Sequence, residues 1–243
     1  MRYPIILLAL VFTSVATYGQ KFIETVKTGN LKSVNKLLQN KATNINETDA
    51  EGLTGLMVSA IVGDSLMMDL LLSFKANPDL VTKTGMTALH AAAFHTRENL
   101  ISRLLIAGAN PNIRDSRGRT PLNVAAEMGV NNSVTYLIAG GANMEIKDKN
   151  GNTPLMIACG KRHINVVGEL LDKGADPNTR DIYGRTPLML LSMHGEVDMI
   201  KLLLVFKPEL ESIDLNLKTA MKYASENRKF HVITTLKEAG AKR

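Results

Sequence analysis

The stretch GNTPLMIACGKRH, residues 151–163, holds the one cysteine of the chain, Cys159, and a histidine four places on, His163. On a continuous helix, residues four apart share a face. A thiol and an imidazole on one face have two chemical uses: they can ligate a metal ion, or the imidazole can act as base to a thiolate nucleophile. The other histidines are His90, His95, His194 and His231. No phosphate loop, Gly-x-Ser-x-Gly, paired-Cys zinc spacing or His-Glu-x-x-His motif occurs in the chain. Any chemistry therefore rests on Cys159 and His163, and on the elements that hold them.

Those elements recur. Gly52, Gly85, Gly118, Gly151 and Gly184 are spaced by 33 residues, and Leu217 takes the next slot. Two residues after each slot stands a threonine: Thr54, Thr87, Thr120, Thr153, Thr186 and Thr219. Apolar pairs follow in phase, among them Leu71-Leu72, Leu104-Leu105 and Leu170-Leu171, and Gly-Ala closes several units, as at Gly108-Ala109 and Gly174-Ala175. Thr-Pro at 120, 153 and 186 reads as an N-cap followed by the favoured first helical residue. The unit opening at Asp49 has Thr54-Gly55 there, a weaker start. Small pairs such as Ala92-Ala93 and Ala125-Ala126 let a short first helix lie close to its neighbour. The leucine pairs belong to a second helix facing the stack. Closing glycines suit a left-handed helix end. One such unit cannot bury its apolar face alone, so neighbours must stack.

With these residues on the page, DSRGRTPLNVAAEMGVNNSVTYLIAGGAN and DKNGNTPLMIACGKRHINVVGELLDKGADPN resemble the ankyrin repeat, and TALHAAA at 87–93 is similar to its TPLHxAA core. The resemblance covers everything after the first 20 residues. It implies an all-α solenoid of helix-turn-helix units with β-turn tips, about seven units including degenerate caps. The units expected are a degenerate one at 21–48, then 49–81, 82–114, 115–147, 148–180 and 181–213, and a C-terminal cap at 214–243. It also implies a structural, locally hydrogen-bonded role for His90. His95 and His194 share one slot three units apart, roughly 30 Å at ~10 Å per layer, too far to share a metal. Three departures stand out. Thr82 replaces the opening Asp, FKPELES at 206–212 lacks the Gly-Ala close and is expected to bend differently, and Leu191-Ser192 in place of Ala-Ala is expected to push two layers apart.

The register answers the opening question. Cys159 falls in the second Ala slot, matched by Ala93 and Ala126, where a small buried residue belongs. His163 falls beyond the first helix. Gly160 is expected to end that helix early and to bring Lys161 toward the concave face. The chain is therefore read as non-catalytic, without cofactor or metal.

Totals narrow the function further. The chain has 243 residues, 45% apolar and 5% aromatic, with a formal charge of +6. The core must be aliphatic. The basic balance favours acidic partners. Nucleic acid is disfavoured, since no aromatic stacking platform accompanies the charge. Residues 1–19 read as a secretory signal peptide: Arg2, an apolar run from Ile5 to Phe12, then small residues permitting cleavage after Gly19 or Ala16. The run is shorter than the ~18 residues a spanning helix needs. An exported, periplasmic or secreted, monomeric domain over 20–243 without a membrane span is expected.

The resemblance implies binding of a partner protein through turn tips and concave face. The tip slots hold Arg114, Arg117 and Arg119, then Lys147 and Lys149, then Arg180, Tyr183 and Arg185. They are expected to form a basic strip. Ile61, Met86 and Phe94 stand at tip and inner-helix slots of earlier units and are expected to form an apolar end. Such a surface suits an acidic partner with an apolar anchor. A secreted effector or inhibitor that regulates an enzyme is the alternative form of the same reading.

Overall fold

The computed structural model describes residues 21–242; the signal-peptide reading falls outside them. The described residues form fourteen helices in seven antiparallel pairs, with no named strand. The first helices of the pairs are α1 (Lys21–Lys27), α3 (Gly55–Val62), α5 (Ala88–Phe94), α7 (Pro121–Met128), α9 (Pro154–Lys161), α11 (Pro187–His194) and α13 (Ala220–Glu226). The second helices are α2 (Leu31–Leu38), α4 (Ser65–Ser73), α6 (Glu98–Ile106), α8 (Asn131–Ala139), α10 (Ile164–Asp172), α12 (Val197–Val205) and α14 (Phe230–Glu238). Each helix packs on its pair-mate and on the equivalent helices of the adjoining pairs, giving two parallel stacks.

The sequence explains each start and stop. In six pairs a threonine caps the first helix, its hydroxyl accepting from the backbone N–H three residues on, as Thr120 does from Asn123. Thr54 makes this bond as well, so the missing proline leaves the cap geometry unchanged. His90 and Asn123 extend the cap into a cross-link. His90 Nδ1 accepts from the Thr87 N–H and its Nε2 lies 3.0 Å from the Arg119 carbonyl, which it reaches as a donor. Asn123 Oδ1 accepts from the Thr120 N–H while its Nδ2 donates to Asn152 O, one repeat further on. His90 is fully buried, and desolvation lowers its pKa, which keeps the ring in this neutral form.

The core is one aliphatic column. Leu71, Leu104, Leu137, Leu170 and Leu203 hold one slot of the second helices and are fully buried. Ala93, Ala126 and Cys159 hold one slot of the first helices, also without exposure. Leu191 is likewise buried, and α11 packs directly on both α9 and α13.

Three backbone positions per repeat have positive φ. The tip slot runs Gly52, Gly85, Gly118, Gly151, Gly184, Leu217; the slot after the second helix runs Lys75, Gly108, Gly141, Gly174, Lys207, Gly240. The slot after the first helix runs Gly63, Thr96, Gly129, Arg162, Gly195, Arg228. Two expectations are thereby corrected. FKPELES does not bend differently: Lys207 adopts the left-handed geometry (φ 52°), and the Glu209 N–H still reaches Asn178 Oδ1 at 2.8 Å, as Asn143 reaches Asn112. The helix before GKRH does not end early. It runs through Gly160 to Lys161, and Arg162 (φ 64°) supplies the stop. A side chain in this region costs about 1–2 kcal/mol, partly offset by the entropy a glycine loses on folding. The Arg162–Glu196 pair, at 3.7 Å and largely exposed, adds little. Arg162→Gly is therefore expected to stabilise the chain by about 0.5–1 kcal/mol, read as a higher denaturant midpoint.

Candidate partner-binding surface

Each tip is a hairpin closed by its opening aspartate. Asp115 Oδ1 accepts from the N–H groups of Arg117 (2.9 Å) and Arg119 (2.8 Å), and its Oδ2 takes the Arg119 guanidinium. Asp148, Asp181 and Asp214 make the same pair of backbone bonds. Thr82, in the Asp slot, accepts from the Met86 N–H and shares a hydroxyl–hydroxyl bond with Thr84, 2.9 Å. Burial alone would raise the Asp115 carboxyl; the hydrogen bonds and charge of Arg119, with the Arg117 N–H, outweigh it and hold it below its ordinary value. The carboxylates at these tips are consumed in shaping the turn.

Neighbouring tips are tied together. The N–H of Ser116 donates to Thr84 O, that of Lys149 to Arg117 O, that of Ile182 to Asn150 O and that of Leu215 to Tyr183 O. The tips therefore form a row with fixed spacing.

The basic residues of this row divide into two kinds. Arg114, Lys147 and Arg180 occupy one slot, and each reaches the backbone carbonyl one repeat onward: Arg114 Nη2 to Lys147 O (2.8 Å), Lys147 Nζ to Arg180 O (2.9 Å), Arg180 Nη1 to Ile213 O (2.7 Å). These three side chains brace the stack. Arg119 is bound to Asp115 and Glu127, and Arg185 to Asp181 with its guanidinium 4.8 Å over the Tyr183 ring. Among the described residues, the Arg117 and Lys149 side chains have no hydrogen-bond or ion-pair partner, and both are exposed.

Between the tips and the first helices lies a groove of about 570 Å³. Arg117, Arg119, Lys149 and Arg185 line its tip side, and Met156, Ile157, Leu190 and Met193 its floor. Lys161 and Glu127 face each other across it at 3.1 Å. Burial raises the Glu127 carboxyl, but the hydrogen bond and charge of Lys161, together with Arg119, bring it below its ordinary value. The hollow has a local cause. Glu127, Gly160 and Met193 share one repeat slot, and a Cβ added at Gly160 would meet nothing within 4 Å. The sequence does not mark Ile157, Leu190 and Met193 for this role; for Met193 a signal was available, since Ile61 and Phe94 occupy its slot.

The apolar end is placed differently from the expectation. Ile61 and Met86 line a separate groove of about 220 Å³ with Leu53, Met57 and His95. Phe94 lines neither groove. It is 47% exposed, and its ring meets His95 edge-on at 5.3 Å. Arg114, Lys147, Arg180 and Tyr183 line neither groove either.

Cys159 and His163 are kept apart chemically. Cys159 is fully buried, and desolvation pushes its thiol up to about 12, away from the thiolate a nucleophile needs. His163 begins α10, and its Nε2 lies 3.1 Å from the Glu127 carbonyl of the preceding repeat. Its ring lies against Gly129, where a Cβ would come within 2.5 Å of it. Among the described residues, no group of three or more His, Cys, Asp or Glu is placed to hold a metal. No helix there is long and apolar enough to cross a membrane.

The chain was compared with known proteins. No curated protein sequence matches it. A solved structure, the ankyrin repeat domain of Bcl-3, described as a unique member of the IkappaB protein family, superposes with a TM-score of 0.75 at 25% identity, over 79% of this chain and 88% of that one. Family models for ankyrin repeats match residues 22–115 and 94–181 in a three-copy form, and 161–204 in a many-copy form. With most of its length matched in this way, the chain belongs to the ankyrin repeat family.

Proposed function

We propose that this chain is an exported, non-catalytic scaffold that binds a partner protein in the central groove. The partner presents acidic side chains to Arg117 and Lys149 and an apolar side chain to the floor of Met156, Ile157, Leu190 and Met193. One observation carries the reading: the hollow at Gly160 lies beneath two cations that the fold leaves without partners. Ankyrin repeat domains are, as a family, protein-binding modules, which supports the class of partner. Export rests on the apolar run and small residues that follow Arg2. The affinity of buried or half-buried contacts concentrates in a few anchors, and cations at the rim set the on-rate and salt dependence.

The test is capture from the cell envelope with the protein beginning at Gln20, followed by mass spectrometry. The partner identified is then titrated against variants. Arg117→Ala with Lys149→Ala is expected to weaken binding by roughly tenfold. Gly160→Leu, in the last turn of α9 with open space around the added Cβ, is expected to fold normally and to block the groove. Affinity unchanged in both variants would remove the groove from the account.

A further inference from the structure

The tip row changes character along its length. Beyond Lys149 the exposed tip residues include four large apolar side chains: Ile182 and Tyr183 on one hairpin, and Leu215 and Leu217 on the next, flanking the exposed Asn216; their exposures are 51%, 53%, 75% and 77%. None of these four lines the central groove. They stand at the outermost points of turns, where burial within the fold cannot reach them. Leu217 fills the slot that is glycine in the five preceding tips, and of the six non-glycine residues at positive φ among the described residues it is the one that is apolar.

Charge along the same row indicates what the tips meet. From Asp115 onward the opening aspartates of the hairpins are Asp115, Asp148, Asp181 and Asp214, and all four turn inward onto backbone N–H groups. The outward residues then include Arg117 and Lys149, without partners among the described residues, the uncharged Asn150 and Asn216, and the four apolar side chains. Convex apolar tips beside free cations fit a surface that is anionic, soft and apolar beneath. A lipid bilayer yields around protruding side chains, whereas a protein partner would need a matched pocket for each. Tyr183, stacked under Arg185 at 4.8 Å, has the amphipathic form that suits a headgroup layer.

We propose that the tips of these two hairpins form a peripheral membrane-binding edge. Ile182, Leu215 and Leu217 enter the outer acyl region of an anionic bilayer, and Arg117 and Lys149 contact its headgroups. Apolar burial and attraction to anionic lipid act together in such contacts, and each alone is weak.

The experiment is co-sedimentation with phosphatidylcholine vesicles, with and without one-third phosphatidylglycerol, at low and high salt. The protein is expected to pellet with the anionic vesicles at low salt, and to be released by high salt or by removal of the anionic lipid. The double variant Leu215→Ser, Leu217→Gly is expected to lower vesicle affinity by at least about tenfold. Because Leu217→Gly relieves backbone strain, lost binding there cannot be assigned to unfolding, and a denaturation midpoint confirms it. Gly160→Leu is expected to leave vesicle binding intact, which separates this edge from the groove. Three results would overturn the proposal: no binding to anionic vesicles at low salt, unchanged binding by the double variant, or self-association that the double variant abolishes while vesicles remain unbound.

Discussion

Replacing Gly151 by alanine is expected to destabilise the chain by about 3 kcal/mol, whereas Gly108→Ala costs about 1 kcal/mol. The two glycines have similar backbones, φ +77° and φ +88°. Each alanine bears the left-handed penalty of about 1–2 kcal/mol, reduced by the lower entropy of the unfolded alanine chain. At Gly108 nothing lies within 4 Å of the added carbon. At Gly151 it would come within 2.6 Å of Ile182 N and 2.9 Å of Asp181 C. These are backbone atoms of the next tip and cannot swing aside. The tips must separate, and the bond from the Ile182 N–H to Asn150 O is strained or lost. Overpacking of this kind costs about 1–3 kcal/mol and a lost hydrogen bond about 1. Urea titration of the two variants reads the difference directly. Equal losses would mean that contact between tips contributes nothing beyond backbone conformation.

The consequence extends beyond stability. In a stack where each unit touches only its neighbours, a weakened junction lets the two sides open separately. Gly151→Ala is thus expected to broaden the unfolding transition as well as shift it. The junction also sets the distance from Lys149 to Ile182 and Tyr183, so the proposed partner and membrane contacts are both expected to weaken with it. Gly108 lies after α6, away from the tips, and its variant should spare both.

Much of the architecture is legible in the sequence because the repeat states each rule several times. A single Thr-Pro is a weak helix signal, but threonines at 120, 153 and 186 in one register leave little freedom. The same register marks Cys159 as a packing residue. Charge is where the reading stops. Arg114 and Arg117 are three residues apart and look alike in the sequence. One finds the Lys147 carbonyl of the next repeat and braces the stack; the other finds nothing among the described residues. Which cation is free depends on carbonyls 33 residues away, and composition does not encode that. The left-handed slots at Arg162 and Lys207 were missed for a related reason: the fold imposes the backbone geometry even where glycine, the usual signal, is absent. The groove floor was missed because its hollow is the lack of a side chain at Gly160, visible only when the repeats are aligned slot by slot.

Asp115→Ala should be the most damaging polar substitution in the tips, at about 3–4 kcal/mol. The Asp115 side chain is 3% exposed, and its partner Arg119 is 14% exposed. Removing the carboxylate strands the N–H groups of Arg117 and Arg119 and leaves the Arg119 guanidinium with Glu127 alone. Asp115→Asn separates the contributions. The amide oxygen still accepts both N–H groups, but the amide NH2 cannot accept from the Arg119 guanidinium, so the ion pair is lost while the turn bonds stay, and the cost falls to about 1–2 kcal/mol. The pH dependence follows from the sign of the shift. The folded pKa of Asp115 is lowered from its ordinary 3.8, so the folded state binds its proton less readily than the unfolded state does. Its contribution is complete above pH 3.8 and is lost as pH falls through the folded value. Asp49, Asp214 and Glu127 shift the same way, and Glu47 shifts the other way. Those groups cancel in the difference between wild type and Asp115→Asn. That difference is expected to be constant from neutral pH down to about 4 and to shrink below it. A difference that stays flat into strong acid would show that the carboxylate acts only as a hydrogen-bond acceptor, and that its charge does not hold the tip closed.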